Sequence, residues 1–381
     1  MSKLWEKWES QRGSIVTDIS VFIPVYRESQ QLPSILKKLV PQAVSKEIFV
    51  SIDEPETQFL EKMQSFAGVK FIVNKKRIGK ANALNNAVKL SSGKVLLFLD
   101  ADVELPDDPD FLKKIIDEME HTDVLDIKKR VIRNSFLSKM TYYEYFTFNI
   151  SAWIASEHLR RCPATNGAAF AIKRETFDAV NGFGNVVAED LDIATKAFLK
   201  GYSFAYTKEV EVLNVVHSSW RKWFKQRRRW AIGQALWLKS CYKDLFRECI
   251  KKPQIFLPGL FFLYPSIAMF FLTVMVPSNW LHESLVMGSF LLSVKFNIAL
   301  PVFLASLATA DLLKALLISL ASFAVTAVSF HIFARKLKFK MKLHELFIYY
   351  FFYSIAWIAI IAIGYIQVLL FKKKAAPDWV T

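Results

Sequence analysis

The sequence predicts an α/β domain, then a basic-aromatic helical region, then an all-α transmembrane bundle, and three observations carry that prediction. Between residues 18 and 216, short runs rich in Val, Ile and Phe alternate with amphipathic helical patterns. From residue 253 onward, long apolar segments dominate. Between these parts, residues 217–252 mix Trp and Phe with Lys and Arg, most densely in WRKWFKQRRRWAIG at 220–233.

Residues 1–17 open with MSKLWEKWES, which lacks the apolar run of a cleaved signal peptide. Leu4, Trp5 and Trp8 share one helical face among charges, as in a short helix on a membrane interface or a plain surface helix. ISVFIPV (19–25), EIFVSI (47–52), KFIVN (70–74) and VLLFLD (95–100) read as strands, with QLPSILKKLV (31–40) and KANALNNAVKL (80–90) as helices between them. Strand, helix, strand at this spacing predicts a parallel sheet covered on both faces. Ligands of such sheets bind beyond the carboxyl ends of the strands. Tyr26-Arg27-Glu28, Asp53-Glu54 and Asp100-Ala101-Asp102 all fall there.

Residues 136–160 and 217–250 read as long helices in which aromatic residues mix with basic ones. They carry Tyr142, Tyr143, Tyr145, Phe146 and Trp153, then Trp220, Trp223, Phe224, Trp230 and Trp237. Rings with one wet and one dry side suit the headgroup layer of a bilayer. Four apolar segments follow at 255–276, 285–308, 312–334 and 346–371, each long enough to cross about 30 Å of hydrocarbon. The second contains Lys295 and Pro301, and a lysine at depth costs on the order of 3 kcal/mol unless it snorkels or faces a cavity. Charge does not decide topology, because RKLKFKMK (335–342) and KKK (372–374) flank a single span.

Composition narrows the partners. A formal charge of +15 points to something anionic. A hydrophobic share of 53% with 33 Phe, concentrated after residue 250, ranks nucleic acid last. Cys162, Cys241 and Cys249 are scattered and odd in number, with neither a disulfide framework nor metal-ligand spacing, which suits reduced thiols in a cytosolic compartment.

The chemistry centres on VLLFLDADVELP (95–106), where two aspartates close a buried strand and put a carboxylate pair at the mouth of the sheet. A hard divalent cation bridging two phosphates needs few protein carboxylates. An isolated D-x-D is more often a turn with two solvated acids. Here AEDLDIATKAFLKGY (188–202) adds Glu189 and Asp190 at a helix start, where capping alone is a sufficient reason for acids. QRRRW (226–230) then adds guanidinium forks that match a diphosphate and a Trp that could anchor the helix or stack on a ring.

Taken in order, these stretches resemble the family 2 glycosyltransferases, and within them the membrane-integrated processive synthases of the hyaluronan, chitin and cellulose type. The resemblance runs from about residue 19 to 233. VFIPVYRE resembles the family's first strand and nucleotide-contacting turn, and NKKRIGKANALNNAV its Gly-Lys-x-x-Ala-Leu-Asn segment. LDADVELP matches the D-x-D, and VLDIKKRVIRN resembles the strand after it. TNGAAFAIKRETFDAVNGFG matches the acceptor-side loop, AEDLDIATKAFLKGY the Glu-Asp helix and QRRRW the Q-x-x-R-W. Two stretches depart from the pattern: IDEPET replaces a second Asp and a Gly-Ser turn, and EVLNVVH replaces a Glu-x-Pro.

The resemblance implies a GT-A type, Rossmann-like nucleotide-diphospho-sugar transferase fold over residues 18–216, with interfacial helices at 217–252 and membrane helices at 253–381. It implies an inverting, metal-dependent hexosyl transfer. Tyr26, Glu28 and Lys80 lie where the family binds the nucleotide, Asp53 and Asp100 contact base and ribose, and Asp102 holds Mg²⁺ or Mn²⁺ on the diphosphate. Asp190, beside Glu189, is the general base for the acceptor hydroxyl. Gln226, Arg229 and Trp230 are the positions that match Q-x-x-R-W on the donor, in preference to Arg227 and Arg228.

The expected partners are a nucleotide-sugar, taken as UDP-linked with GDP as the alternative, a polysaccharide or lipid-linked acceptor, and membrane lipids. Polymer synthesis with export is expected on the strength of Q-x-x-R-W. Single transfer to a polyprenyl phosphate or glycolipid is the alternative. A pore through four spans would be narrowed by interfacial helices or by a second copy in a homo-oligomer. The expected location is the plasma membrane, multi-pass, with the catalytic domain cytoplasmic. A transporter with a decayed nucleotide-sugar domain is the reading from another class, and retention of Asp100, Asp102, Glu189 and Asp190 argues against decay.

Overall fold

The computed structural model describes residues 17–253 apart from 64 and 217, isolated positions between 271 and 291, and residues 299–371, with side chains from 312 in that last stretch. Residues 1–16, most of the first two apolar segments and the 372–374 lysines lie outside the described residues. The chain divides into two units, Met1–Phe256 with Ile360–Thr381, and Leu257–Ala359.

The first unit is built on one eight-stranded sheet of order β3-β2-β1-β4-β7-β6-β8-β5. β1 (Ile19–Tyr26), β2 (Lys46–Asp53), β3 (Val69–Asn74) and β4 (Val95–Leu99) pair in parallel. They are linked by α1 (Leu32–Leu39), α2 (Thr57–Met63) and α3 (Lys80–Lys89). β1, β2 and β4 are apolar at consecutive positions because both their faces are covered, whereas β3 is the edge strand, only partly buried and with Val73 exposed. On one face Phe49, Phe22, Phe98 and Phe170 form a stripe over four adjacent strands, with neighbouring centroids 5.5, 5.2 and 5.1 Å apart. Phe177 and Phe183 close over it, Phe183 meeting Phe98 edge-on at 4.9 Å.

Beyond β4 the expected parallel sheet gives way to a mixed one. The chain runs through β5 (Val103–Glu104) and α4 (Phe111–Met119) to β6 (Val124–Val131), and from there through α5 (Phe136–Leu159) to β7 (Ala169–Lys173). β7 is antiparallel to both β4 and β6, whereas β8 (Phe204–Asn214) is parallel to β6. The cause lies in the path before β7. α5 ends beside the start of β8, where Phe204 N–H donates to Arg160 O at 2.8 Å. Residues 161–168 then climb back to the carboxyl ends of the parallel strands, where Asp100 N–H donates to Ala168 O at 2.9 Å. β7 therefore starts at the mouth and descends.

α5 also differs from its expected place at a bilayer surface. Tyr142, Tyr143, Tyr145, Phe146 and Trp153 are all buried in protein, and the helix packs on β6 and β8. Asn149 secures it, donating to Lys129 O at 2.8 Å and accepting from Lys129 N–H at 3.1 Å. Rings that would suit a headgroup layer fit a protein core equally well.

α6 (Arg174–Ala179) and α7 (Glu189–Leu199) precede β8, and the long α8 (Trp220–Lys251) follows it. α8 buries Trp223 and Arg227 and exposes Trp220, Phe224, Tyr242, Phe246 and Ile250. After α9 (Ala299–Lys336) come α10 (Leu343–Ile348), a π-helical turn at Tyr349–Tyr353 and α11 (Ser354–Leu369). Among the described residues, two stretches, Leu312–Lys336 and Leu343–Leu369, are long and apolar enough to cross a membrane and coincide with the third and fourth expected segments. In the second unit Phe323 packs on Phe347 and Phe351, and Tyr350 donates to Ser322 at 2.7 Å. In the first, Tyr365 and Val368 of α11 pack on Ile232 and Ala235 of α8.

Candidate active site

The site begins with the carboxylate that ends β2. Asp53 is 5% exposed, and its Oδ2 accepts from the backbone N–H groups of Ile78 and Gly79 at 3.0 Å each. Its Oδ1 accepts from Asn74 Nδ2 at 2.9 Å. These bonds fold the turn that starts α3, where Gly79 adopts φ 85 as the N-cap, a value that glycine reaches without Cβ strain. Asp53 thus organises the loop that presents Lys80, the first residue of α3.

Lys80 is the hub. Its Nζ lies 2.7 Å from Asp100 Oδ1 and 2.8 Å from Glu189 Oε1, so one ammonium joins the end of β4 to the start of α7. Burial alone would lower its pKa, but the charges of Asp100, Glu189 and Asp190 outweigh that and hold it above the ordinary lysine value. Lys80, Asp100, Gly167, Glu189 and Asp190 line one cleft, floored by Phe98, Phe170 and Phe183. Acids some ninety positions apart in sequence therefore share one hollow.

Asp190 is aimed by backbone. Its Oδ2 accepts from Gly167 N–H at 2.8 Å and its Oδ1 from Leu191 N–H at 2.9 Å. A Cβ at Gly167 would lie 2.8 Å from Asp190 Oδ2, so the loop can approach only as glycine. Burial, then the neighbouring Glu189 charge, push the Asp190 carboxyl up to about 6, against the pull of Lys80 and the two N–H bonds. A carboxylate so placed can accept a proton near neutral pH.

Asp102 follows two residues after Asp100, beyond the carboxyl end of β4. Desolvation by the surrounding protein and then the Asp100 charge push its carboxyl well above the ordinary range, while Lys80 and Arg229 pull it down. An Asp100 charge that raises the cost of ionising Asp102 fits a site completed by a cation. Among the described residues no cage of three or more His, Cys, Asp or Glu side chains converges. Mg²⁺ held through one or two carboxylates and substrate phosphates needs no such cage. The donor set around Asp102 fits that mode.

The other expected donor residues lie around this centre. Tyr26 donates its hydroxyl to Glu54 Oε2 at 3.2 Å, and the Arg77 guanidinium stacks on its ring at 4.3 Å. Glu28 is exposed beyond β1, its N–H folded back to Tyr26 O at 2.8 Å. Gln226 Oε1 accepts from Arg227 Nη1 at 2.9 Å. Trp230 lies under the Arg227 guanidinium, 4.2 Å from carbon to centroid.

Sequence reasoning passed over three residues that the structure makes central. Arg227 Nη2 reaches Glu144 Oε2 of α5 at 2.6 Å, with side chains 1% and 2% exposed. Glu144, an acid flanked by aromatic residues in YYEYF, carried a readable signal of a buried ion pair. Arg77, on the Tyr26 ring, had none.

Residues 20–171 match the family described as Glycosyl transferase family 2. The chain is 24% identical over 290 residues to the probable glycosyltransferase YdaM of Bacillus subtilis, covering 71% of this chain and 67% of that protein. It is 26% identical over 204 residues to the dolichol-phosphate mannosyltransferase of Pyrococcus furiosus, covering 51% and 55%. It is 24% identical over 225 residues to the poly-beta-1,6-N-acetyl-D-glucosamine synthase of Staphylococcus aureus, covering 56% and 54%. The chain thus spans only about half the length of the last two relatives. Among solved structures it resembles the mannosyltransferase PcManGT from Pyrobaculum calidifontis in complex with GDP-Man and Mn2+, with a TM-score of 0.50 and 20% identity over 83% of this chain and 93% of that one. That likeness shows the fold. Residues 20–171 thus match the family 2 glycosyltransferases, and the chain shares the fold of that mannosyltransferase.

Proposed function

We propose that the chain is a membrane-associated, inverting glycosyltransferase that passes a hexosyl unit from a nucleoside-diphosphate sugar to an acceptor hydroxyl, building a polysaccharide. The observation that carries the proposal is the shared cleft of Lys80, Asp100, Glu189 and Asp190, with the Asp190 carboxylate held by Gly167 N–H. Asp190 takes the acceptor proton as the hydroxyl oxygen attacks the anomeric carbon, on the face opposite the diphosphate. The C–O bond to the diphosphate breaks as the new glycosidic bond forms, and configuration inverts. Asp102 would hold Mg²⁺ or Mn²⁺, which supplies charge neutralisation on the leaving diphosphate when bound. Lys80 and Arg229 add positive charge on the same side.

Q-x-x-R-W in its place on α8 and the Staphylococcus aureus synthase among the relatives support the polymer reading. The Pyrococcus furiosus dolichol-phosphate mannosyltransferase supports transfer of a single sugar to a lipid. Two apolar helices support membrane residence. The test is incubation of detergent-purified full chain with radiolabelled UDP- and GDP-sugars and Mn²⁺, followed by sorting of product into high-mass polymer or solvent-extractable lipid. Turnover that survives chelation and Asp190→Asn would overturn the mechanism, and lipid-only product would replace the acceptor.

A further inference from the structure

We infer that Asp126 and Lys129 of β6 are positioning residues for the proposed base, acting through the Thr165 hydroxyl on the loop that carries Gly167. This inference rests on the role proposed for Asp190. Lys129 Nζ bonds Asp126 Oδ1 and also donates to Ile127 O at 2.8 Å. Both side chains are almost fully enclosed, 3% and 7% exposed. The same Asp126 oxygen accepts from Thr165 Oγ1 at 2.8 Å. Two residues later, Gly167 N–H reaches Asp190 Oδ2, and Ala168 O accepts from Asp100 N–H.

The loop is pinned from a second side. Thr195 of α7 donates to Pro163 O at 2.8 Å and accepts from Trp237 Nε1 at 2.9 Å. The stretch 163–168 therefore runs from anchors on α7 and β6 to Asp190 and Asp100, two of the three acids that line the cleft. Such a loop carries little side-chain bulk of its own, so its aim depends on those anchors. A displacement of about 1 Å in a positioning group can cost about 100-fold in rate.

An ion pair this deep is costly to desolvate and is poor evidence of stabilisation. Its placement supplies another reason for it. Burial, the largest effect, lowers the Lys129 pKa, while Asp126, Asp190 and Asp100 pull it upward. By reciprocity the Lys129 charge favours the ionised form of Asp190. The charged or titratable groups around Asp190 are Glu189 on its own helix, Lys80 of α3, Asp100 of β4 and Lys129 of β6. Those that sense Asp126 are Lys129, Cys162 and Tyr206.

The test uses full-length protein with whichever radiolabelled nucleotide-sugar it turns over, and compares Thr165→Val, Thr165→Ser, Lys129→Met and Asp190→Asn. Thr165→Val should lower kcat about 10- to 100-fold with donor KM within about two-fold, and Thr165→Ser should recover most of the rate. Lys129→Met should move the acid limb of the kcat–pH profile upward. Wild-type kcat in Thr165→Val, an equal loss in Thr165→Ser, or an unmoved acid limb in folded Lys129→Met overturns the inference. Should Lys129→Met not fold, the Thr165 pair decides alone. If Asp190→Asn is inactive while Thr165→Val is normal, only this inference fails. If Asp190→Asn retains full transfer, the proposed base fails with it.

Discussion

Gly167 and Asp190 are separated by a single 2.8 Å hydrogen bond, and the carboxylate oxygen that accepts it lies 2.8 Å from where a Cβ on Gly167 would stand. The bond and the missing side chain are two aspects of one approach. Gly167→Ala must push the loop or the carboxylate by several tenths of an ångström, because the added methyl also meets Asp190 Cβ at 3.1 Å. The expected outcome is a loss of about 100-fold in kcat with little change in donor affinity. Steady-state kinetics beside calorimetric donor titration separate the two effects, and weakened donor binding with unchanged kcat would refute it.

The Asp190 carboxyl, pushed up to about 6, sets the direction of the pH dependence. A general base works only when deprotonated, so the neutral acid that dominates below about pH 6 is inactive. Rate should rise with pH through that region and level off above it. An unperturbed carboxylate would place the same limb near 4. A kcat profile measured from pH 4.5 to 8 at saturating donor distinguishes them, since an unshifted base would lose only about a fifth of its rate at pH 4.5, whereas one near 6 would lose most of it.

Arg227 and Glu144 show what was legible in the sequence and what was not. β1 and β4 were, because strands covered on both faces are written as unbroken apolar runs that need no tertiary context. The acids at their ends follow once those strands are placed. The direction of β7 was illegible, since alternation along AFAIK is the same for a parallel or antiparallel partner. α5 was misread for a related reason, as Tyr and Trp are amphipathic in a headgroup layer and in a core alike. Asp53 looks like a ligand-facing acid, yet its bonds to Ile78, Gly79 and Asn74 depend on a turn that only the folded chain defines.

The same pair yields a stability prediction. Arg227→Met removes the guanidinium bonded to Glu144 in a site where that carboxylate is 2% exposed. Removing one partner of a buried pair costs about 3–5 kcal/mol, whereas replacing both with apolar groups is often neutral. Arg227→Met should therefore lower the unfolding temperature strongly, and adding Glu144→Leu should recover most of the loss. A double variant no more stable than the single one would show that the pair contributes more than mutual neutralisation.

Gly364 on α11 meets Ala231 on α8 more closely than any side chain permits. A Cβ at Gly364 would lie 2.7 Å from Ala231 Cβ and 2.9 Å from its carbonyl carbon. Contacts under 3.0 Å to backbone cannot be relieved by rotating a side chain, so α8 or α11 itself must move. Ala231 follows Trp230 and lies two residues from Arg229, whose charge acts on Asp102. Gly364→Val should therefore act at a distance in sequence, lowering kcat about 10-fold or more by shifting Arg229 and Trp230. Membrane extraction should change far less, because an added valine keeps Leu343–Leu369 apolar, whereas the unfolding temperature should fall as α8 and α11 part and Tyr365 and Val368 lose cover on Ile232 and Ala235. Parallel kinetics and thermal unfolding on Gly364→Ala and Gly364→Val check this. The rate should fall with side-chain size, and a fully active Gly364→Val would show that the two helices separate without disturbing the motif.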